Sequence, residues 1–155
     1  LPFRWQRRKC LVMKKLPPIL FSLILSFSAN ADLELALAYA EAGDVQKGQM
    51  ELVNIGQRAM DGDPKSMCEF GEMYAKEGYW IVQSDEDASN WWLKSAEMGY
   101  APCQFAIGAA YIIGFGIEKD LSKAKSWLQK TIDSSDELHS VAAEAIYAIH
   151  KLAKY

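Results

Sequence analysis

Gly114-Phe115-Gly116-Ile117-Glu118-Lys119-Asp120-Leu121-Ser122-Lys123-Ala124-Lys125-Ser126-Trp127-Leu128-Gln129-Lys130 is the stretch that decides the fold. Its second half has an earlier copy: Ala124 to Lys130 lies over Ala88-Ser89-Asn90-Trp91-Trp92-Leu93-Lys94 at a shift of 36. Just upstream, Cys103-Gln104-Phe105-Ala106-Ile107-Gly108-Ala109-Ala110-Tyr111 lies over Ser66-Met67-Cys68-Glu69-Phe70-Gly71-Glu72-Met73-Tyr74 at a shift of 37. Gly62 and Gly99 are also 37 apart, so the one-residue difference falls in the loop between the two motifs. A fixed period of this length marks a repeat architecture, in which each unit buries its apolar face against its neighbours.

Apolar residues recur at spacings of three and four throughout the rest of the chain, with no sustained alternation, and this is helical periodicity. The spacing predicts helices over about 33–42, 44–61, 64–77, 85–98, 101–113, 121–133 and 137–153. Pro64 and Pro102 fall in first turns, where a missing N–H costs little. Gly43, Gly62, Gly78 and Gly99 stand as helix stops, and Asp44, Asp63, Ser84 or Asp85, Asp120 and Asp136 as N-caps. The expected fold class is all-α, a short α/α solenoid of antiparallel helix pairs. Gly71 and Gly108 lie inside helices, where Gly costs roughly 1 kcal/mol against Ala. That cost is tolerable where a facing helix comes too close for a Cβ. Tyr74 and Tyr111 lie one turn further along the same face, and Ala88 and Ala124 offer a small contact point. Trp91 and Trp127, three residues on, are expected to fill the space between pairs.

These residues resemble the Sel1-like repeat family, a relative of the tetratricopeptide repeat. The pattern G-x-G-[IV]-x-x-D-x-x-K-A-x-x-W-[LY]-x-K is met by Gly114, Gly116, Ile117, Asp120, Lys123, Ala124, Trp127, Leu128 and Lys130. The unit over 63–99 has Gly78-Tyr79-Trp80 in place of the G-x-G. An earlier unit is degenerate: Tyr39 and Gly43 match Tyr74 and Gly78, but Ala36 replaces the glycine and Asn54 stands at the Trp position. The chain then divides into a leader (1–31), a degenerate repeat (32–62), two clear repeats (63–99 and 100–135) and a C-terminal capping helix (136–155).

The 17 Lys and Arg and 20 Asp and Glu are unevenly spread. Residues 1–31 hold six basic residues and no acid, and residues 32–155 carry 11 − 20 = −9. Met13-Lys14-Lys15, the apolar run Ile19 to Phe27 and Ala29-Asn30-Ala31 form the three parts of a secretory signal. Residues 1–12 are an upstream extension, translation is expected to start at Met13, and cleavage follows Ala31. The apolar run is too short to span a bilayer, which needs about 20 residues. A retained anchor is the weaker alternative. The expected location is the periplasm or beyond, with a bacterial source. Cys68 and Cys103 would then meet an oxidising compartment. The spacing alone does not pair them, and the simpler expectation is two small buried side chains, because helix axes lie 8–10 Å apart.

Residue patterns for chemistry are sparse. His139 and His150 lie about 16 Å apart along one helix, too far for one metal ion. Gly114-Phe115-Gly116 follows a helix rather than a strand, so it is not a nucleotide loop. Asp85-Glu86-Asp87 suits a helix N-terminus and lacks EF-hand spacing. No cofactor, metal or catalytic residue is expected, and the acidic chain without a basic stripe excludes nucleic acid. Some cysteine-rich relatives are implied to bind penicillin with weak β-lactamase activity, but they carry paired cysteines inside each repeat. Ser122-Lys123 also lacks the Ser-x-x-Lys spacing of an acylation site.

The resemblance implies instead a non-enzymatic interaction module whose first helices line a concave face. Its expected partner-binding residues are Leu33, Leu37, Glu41, Lys65, Cys68, Glu72, Lys76, Phe105, Ala109, Ile112 and Ile113, joined by Ala40, Ala75 and Pro102. Seven of these are large or apolar enough to suggest an apolar groove for a protein or peptide partner, with burial by the last helix as the competing expectation. No membrane span is expected after cleavage. Assembly into a homo-oligomer is a further alternative.

Overall fold

The computed structural model describes residues 31–76, 79 and 81–152. The leader and its expected cleavage site therefore lie outside the described residues up to Ala31, as does the helix stop expected at Gly78. Seven helices are found among the described residues: α1 (Ala31–Glu41), α2 (Val45–Met60), α3 (Pro64–Ala75), α4 (Asp85–Glu97), α5 (Ala101–Ile113), α6 (Leu121–Ser134) and α7 (Asp136–Leu152). Each packs on the next along the chain, and α7 also reaches back to α5. This is the expected solenoid, with α1–α2, α3–α4 and α5–α6 as its pairs.

The ends form where the local chemistry supplies a bond. The side chains of Asp44, Asp63, Ser84 and Asp120 accept from the backbone N–H of Lys47, Ser66, Asp87 and Lys123, as N-caps do. At the last helix the expected cap shifts by one residue. Leu138 N–H donates to Ser135 Oγ at 3.3 Å, and Asp136 begins the helix instead of capping it. A carboxylate in the first turn still complements the helix dipole there.

One backbone bond recurs in all three units. The N–H of Asp44, Ser84 and Asp120 donates to the carbonyl of Tyr39, Tyr74 and Tyr111, at 2.9, 3.0 and 2.9 Å. This pins the start of each second helix to the repeated tyrosine near the end of the first. The degenerate first unit keeps the bond although it has lost both the glycine and the tryptophan.

The two helical glycines are explained by contact. A Cβ on Gly71 would stand 2.6 Å from Trp92 Cδ1, and one on Gly108 would stand 3.0 Å from Leu128 Cγ. The large residue opposite each glycine is thus Trp92 or Leu128, one position past the expected Trp91 or Trp127. Ala36 and Ile55 occupy the same two positions in the first unit and share a buried cluster with Leu52, Met73 and Tyr79. Trp91 and Trp127 are half-buried and face outward enough for Lys94 and Lys130 to lie over their rings at 4.3 and 3.9 Å. Trp91 also meets Phe70 edge-on.

The Gly-Phe-Gly loop belongs to packing between units. Phe115 stacks on Trp92 of the preceding pair at 5.6 Å, and its carbonyl accepts from Ser89 Oγ. Gly116 sits at φ +60°, and a Cβ there would overlap the Asp85 carbonyl. Only glycine satisfies both conditions. Tyr79, the aromatic at the corresponding point one unit earlier, turns inward onto α2 and is buried.

Candidate functional site

The expected concave-face residues fall into three groups. Cys68, Phe105, Ala109 and Ile112 are 4–5% exposed and belong to the interior. Phe105 and Ile112 share one cluster with Leu138, Ala142, Ala145 and Ile149 of α7, so the last helix closes the apolar half of the expected groove. The physical reason is the short stack: α7 takes the place of a further first helix and buries the face that α5 would otherwise expose. Leu33, Leu37 and Ala40 lie on α1, but their side chains are outside the described residues. The third group stays open: Glu41 and Ile113 are exposed, while Lys65, Glu72 and Lys76 are half-buried. Lys76 Nζ pairs with Glu72 at 2.8 Å. Pro102 and Ala75 are half-buried.

Cys68 and Cys103 form a disulfide, with Cα atoms 5.8 Å apart. The expectation of two unbridged thiols is corrected here. An interaxial spacing of about 10 Å is not a Cα spacing, because each Cα stands about 2.3 Å off its own axis and side chains aimed into the interface bring the backbones nearer. The two cysteines also occupy different repeat positions. The 37-residue shift carries Cys68 to Phe105 and Cys103 back to Ser66, so the bridge runs diagonally from α3 to α5. It ties one repeat to the next, unlike the pairs within a repeat of the cysteine-rich relatives.

A charged cluster joins the first three helices and was not anticipated from sequence. Asp32 of α1 accepts from Arg58 of α2 at 3.0 Å and from Lys65 of α3 at 3.3 Å. Lys65 also lies 3.6 Å from Glu69, and Arg58 lies 3.6 Å from Glu51. Arg58 Nε donates to Ser66 Oγ. Glu69 is 0% exposed, and neither carboxylate oxygen has a hydrogen-bond partner among the described residues. Burial pushes its carboxyl up from 4.5 to about 7; Lys65 and Arg58 oppose the rise and Asp32 adds to it. Lys65 four residues before Glu69 reads as an ordinary surface ion pair on one helix. Nothing local in the sequence marks the site as buried.

The remaining sequence candidates are plain surface features. Asp85, Glu86 and Asp87 form the exposed first turn of α4. His139 and His150 are exposed on α7, with His150 Nε2 3.0 Å from Lys125 Nζ. Among the described residues no group of three or more His, Cys, Asp or Glu side chains could hold a metal ion, and no helix is long and apolar enough to cross a membrane. Ser122 and Lys123 lie in the first turn of α6, where their N–H groups donate to Asp120.

The helix pairs, the glycine-to-large contacts and the tyrosine-to-cap bonds together define an α/α solenoid of Sel1 type. Known proteins agree with that class. The chain resembles the crystal structure of a Sel1 repeat protein from Oxalobacter formigenes, at 28% identity and a TM-score of 0.56, over 79% of this chain and 93% of that one. It also resembles c5321, a protective antigen of uropathogenic Escherichia coli strains with an SLR fold. There the identity is 23% and the TM-score 0.57, over 68% of this chain and 23% of that one. A 56-residue stretch is 37% identical to the chitin synthase regulator SKT5 of Malassezia restricta; it covers 36% of this chain but only 4% of the fungal protein. No family model matches the chain. The chain has the fold of the Sel1-like repeat proteins. Stacks of this kind are scaffolds that present an extended surface to other proteins.

Proposed function

We propose that the protein is a non-enzymatic scaffold or regulator of the bacterial envelope that binds a partner protein along the first helices of its repeats. One observation carries the reading: three stacked helix pairs leave Glu41 and Ile113 exposed, and the ion-paired Lys65, Glu72 and Lys76 half-buried, along and just beyond those helices. With Phe105 and Ile112 inside the core, the surface offered is mainly charged, and the complementary partner is a polar protein surface rather than an apolar helix. The fungal relative is named a regulator, which suits a binding role for the stretch the two share. Export is supported by the leader pattern of residues 13–31 and by the disulfide, since such bonds persist in oxidising compartments.

Affinity capture from a periplasmic extract tests the proposal, with the wild-type chain and a Glu41→Lys/Ile113→Asp variant as baits, since both residues are exposed. The expected result is a protein retained by wild type and lost from the variant while the helical signal is unchanged. Equal recovery on both baits would remove the binding role from this face.

A further inference from the structure

The outer face of α2 differs from the same face of the other second helices. Met50, Val53 and Met60 are 65%, 69% and 68% exposed. Shifts of 37 and then 36 residues place Asp87 and Lys123 at the position of Met50, Asn90 and Ser126 at that of Val53, and Glu97 and Asp133 at that of Met60. Gln46, Gln49 and Gln57 complete the α2 face, which holds no charge, and the first two line a shallow open depression with Met50 and Val53. The fold does not need apolar residues here, since α4 and α6 serve in the same place with polar ones.

Stacking another repeat on the first unit would not cover this face either. The equivalent residues of α4 stay exposed although units precede and follow it. The occupant therefore lies off the stack, and the composition of the face indicates which one. Resting on the export proposed above, residues 32–155 remain once the leader is removed and carry −9, so two copies repel wherever charged surfaces meet. A two-fold contact sets each surface against itself, which charged residues oppose; methionine, valine and glutamine allow it, the amide being both donor and acceptor.

We propose that the outer face of α2 is a homodimer contact, in which two copies pair antiparallel about a two-fold axis near Val53. The axis sets Val53 against its own copy, Gln49 against Gln57 and Gln46 against Met60. A 16-residue helix is about 24 Å long, and one such face buries a few hundred Å², short of the roughly 800 Å² per partner of stable complexes. The dimer is accordingly weak, forming at roughly 10–100 µM. It would present two copies of the charged first-helix face together, so a bivalent partner gains affinity through proximity.

Sedimentation equilibrium of the chain across roughly 5–500 µM tests the contact at a concentration range suited to weak pairing. The mass is expected to rise from one chain toward two, and more readily at higher salt, where acidic repulsion is screened. A Met50→Asp/Val53→Asn variant takes the residues that α4 carries at these positions. It is expected to remain monomeric throughout with unchanged circular dichroism and Tm. A wild-type chain that stays monomeric overturns the proposal, as does association that survives in the variant. A monomeric chain whose Val53 methyl signals shift when a peptide of residues 19–27 is added also overturns it, and gives the face to the chain's own apolar run.

Discussion

The two junctions between repeats are built on different principles. Between the second and third units the contacts are steric and covalent: the Cys68–Cys103 bridge, Phe115 stacked on Trp92, and Gly116 pressed against the Asp85 carbonyl. Between the first and second units a small apolar cluster is joined by ions: Asp32, Arg58, Lys65 and the buried Glu69. A steric junction tolerates little change in shape and is indifferent to pH. An ionic junction with a desolvated carboxylate responds to pH and is more easily improved by substitution.

The largest expected effect is on the covalent side. Replacing Cys68 and Cys103 together by Ser removes a cross-link spanning 35 residues. Loop-closure entropy for that length corresponds to about 4 kcal/mol of unfolding free energy, measured by urea titration. A loss under about 1 kcal/mol would show that α3 and α5 are held by packing alone.

Next in size is Gly116→Ala, which adds a Cβ onto the Asp85 backbone at positive φ and is expected to cost about 3 kcal/mol or more. Gly114→Ala is the matched comparison. Gly114 also has positive φ, but its nearest Cβ neighbour would be 3.6 Å away, so only about 1 kcal/mol is expected. Equal costs would mean that backbone conformation, and not the approach of α4, selects the second glycine.

The ionic junction is expected to show the opposite sign. The folded state raises the Glu69 carboxyl from 4.5 to about 7, so the native chain binds the extra proton. Stability attributable to this group therefore falls as pH rises from about 4.5 to about 7, and the loss is complete above that. Glu69→Gln is expected to stabilise the protein by roughly 1–3 kcal/mol at pH 8 and to have little effect at pH 4.5, followed by thermal melts across that range. A destabilised variant at pH 8 would show instead that the Lys65 ion pair outweighs the burial of the carboxylate. The smallest effect is Ser135→Ala, expected to cost about 1 kcal/mol through loss of the α7 cap.

Neither junction was as legible in sequence as the packing inside each helix pair. A glycine within a helix needs a close neighbour, and Gly71 and Gly108 have one. Helix ends were legible for a similar reason, because Asp44, Asp63, Ser84 and Asp120 bond to residues two or three positions away. The partner of each glycine was off by one, since two adjacent tryptophans leave the rotation of α4 undecided until Phe115 docks on Trp92. The disulfide, the buried state of Glu69 and the closure of the groove by α7 all depend on helices distant in sequence. A residue pattern reports which side of a helix is apolar; Phe105 and Ile112 look the same whether a partner or α7 covers them.

The bond from each tyrosine carbonyl to the next helix start has a consequence for how such a chain can change. The bonded residues are 5 apart at Tyr39–Asp44, 10 apart at Tyr74–Ser84 and 9 apart at Tyr111–Asp120. Turns of unequal length thus arrive at the same anchor. The connection between the helices of a pair is therefore a free variable of the architecture, open to insertions and deletions, while the helices it joins keep their places.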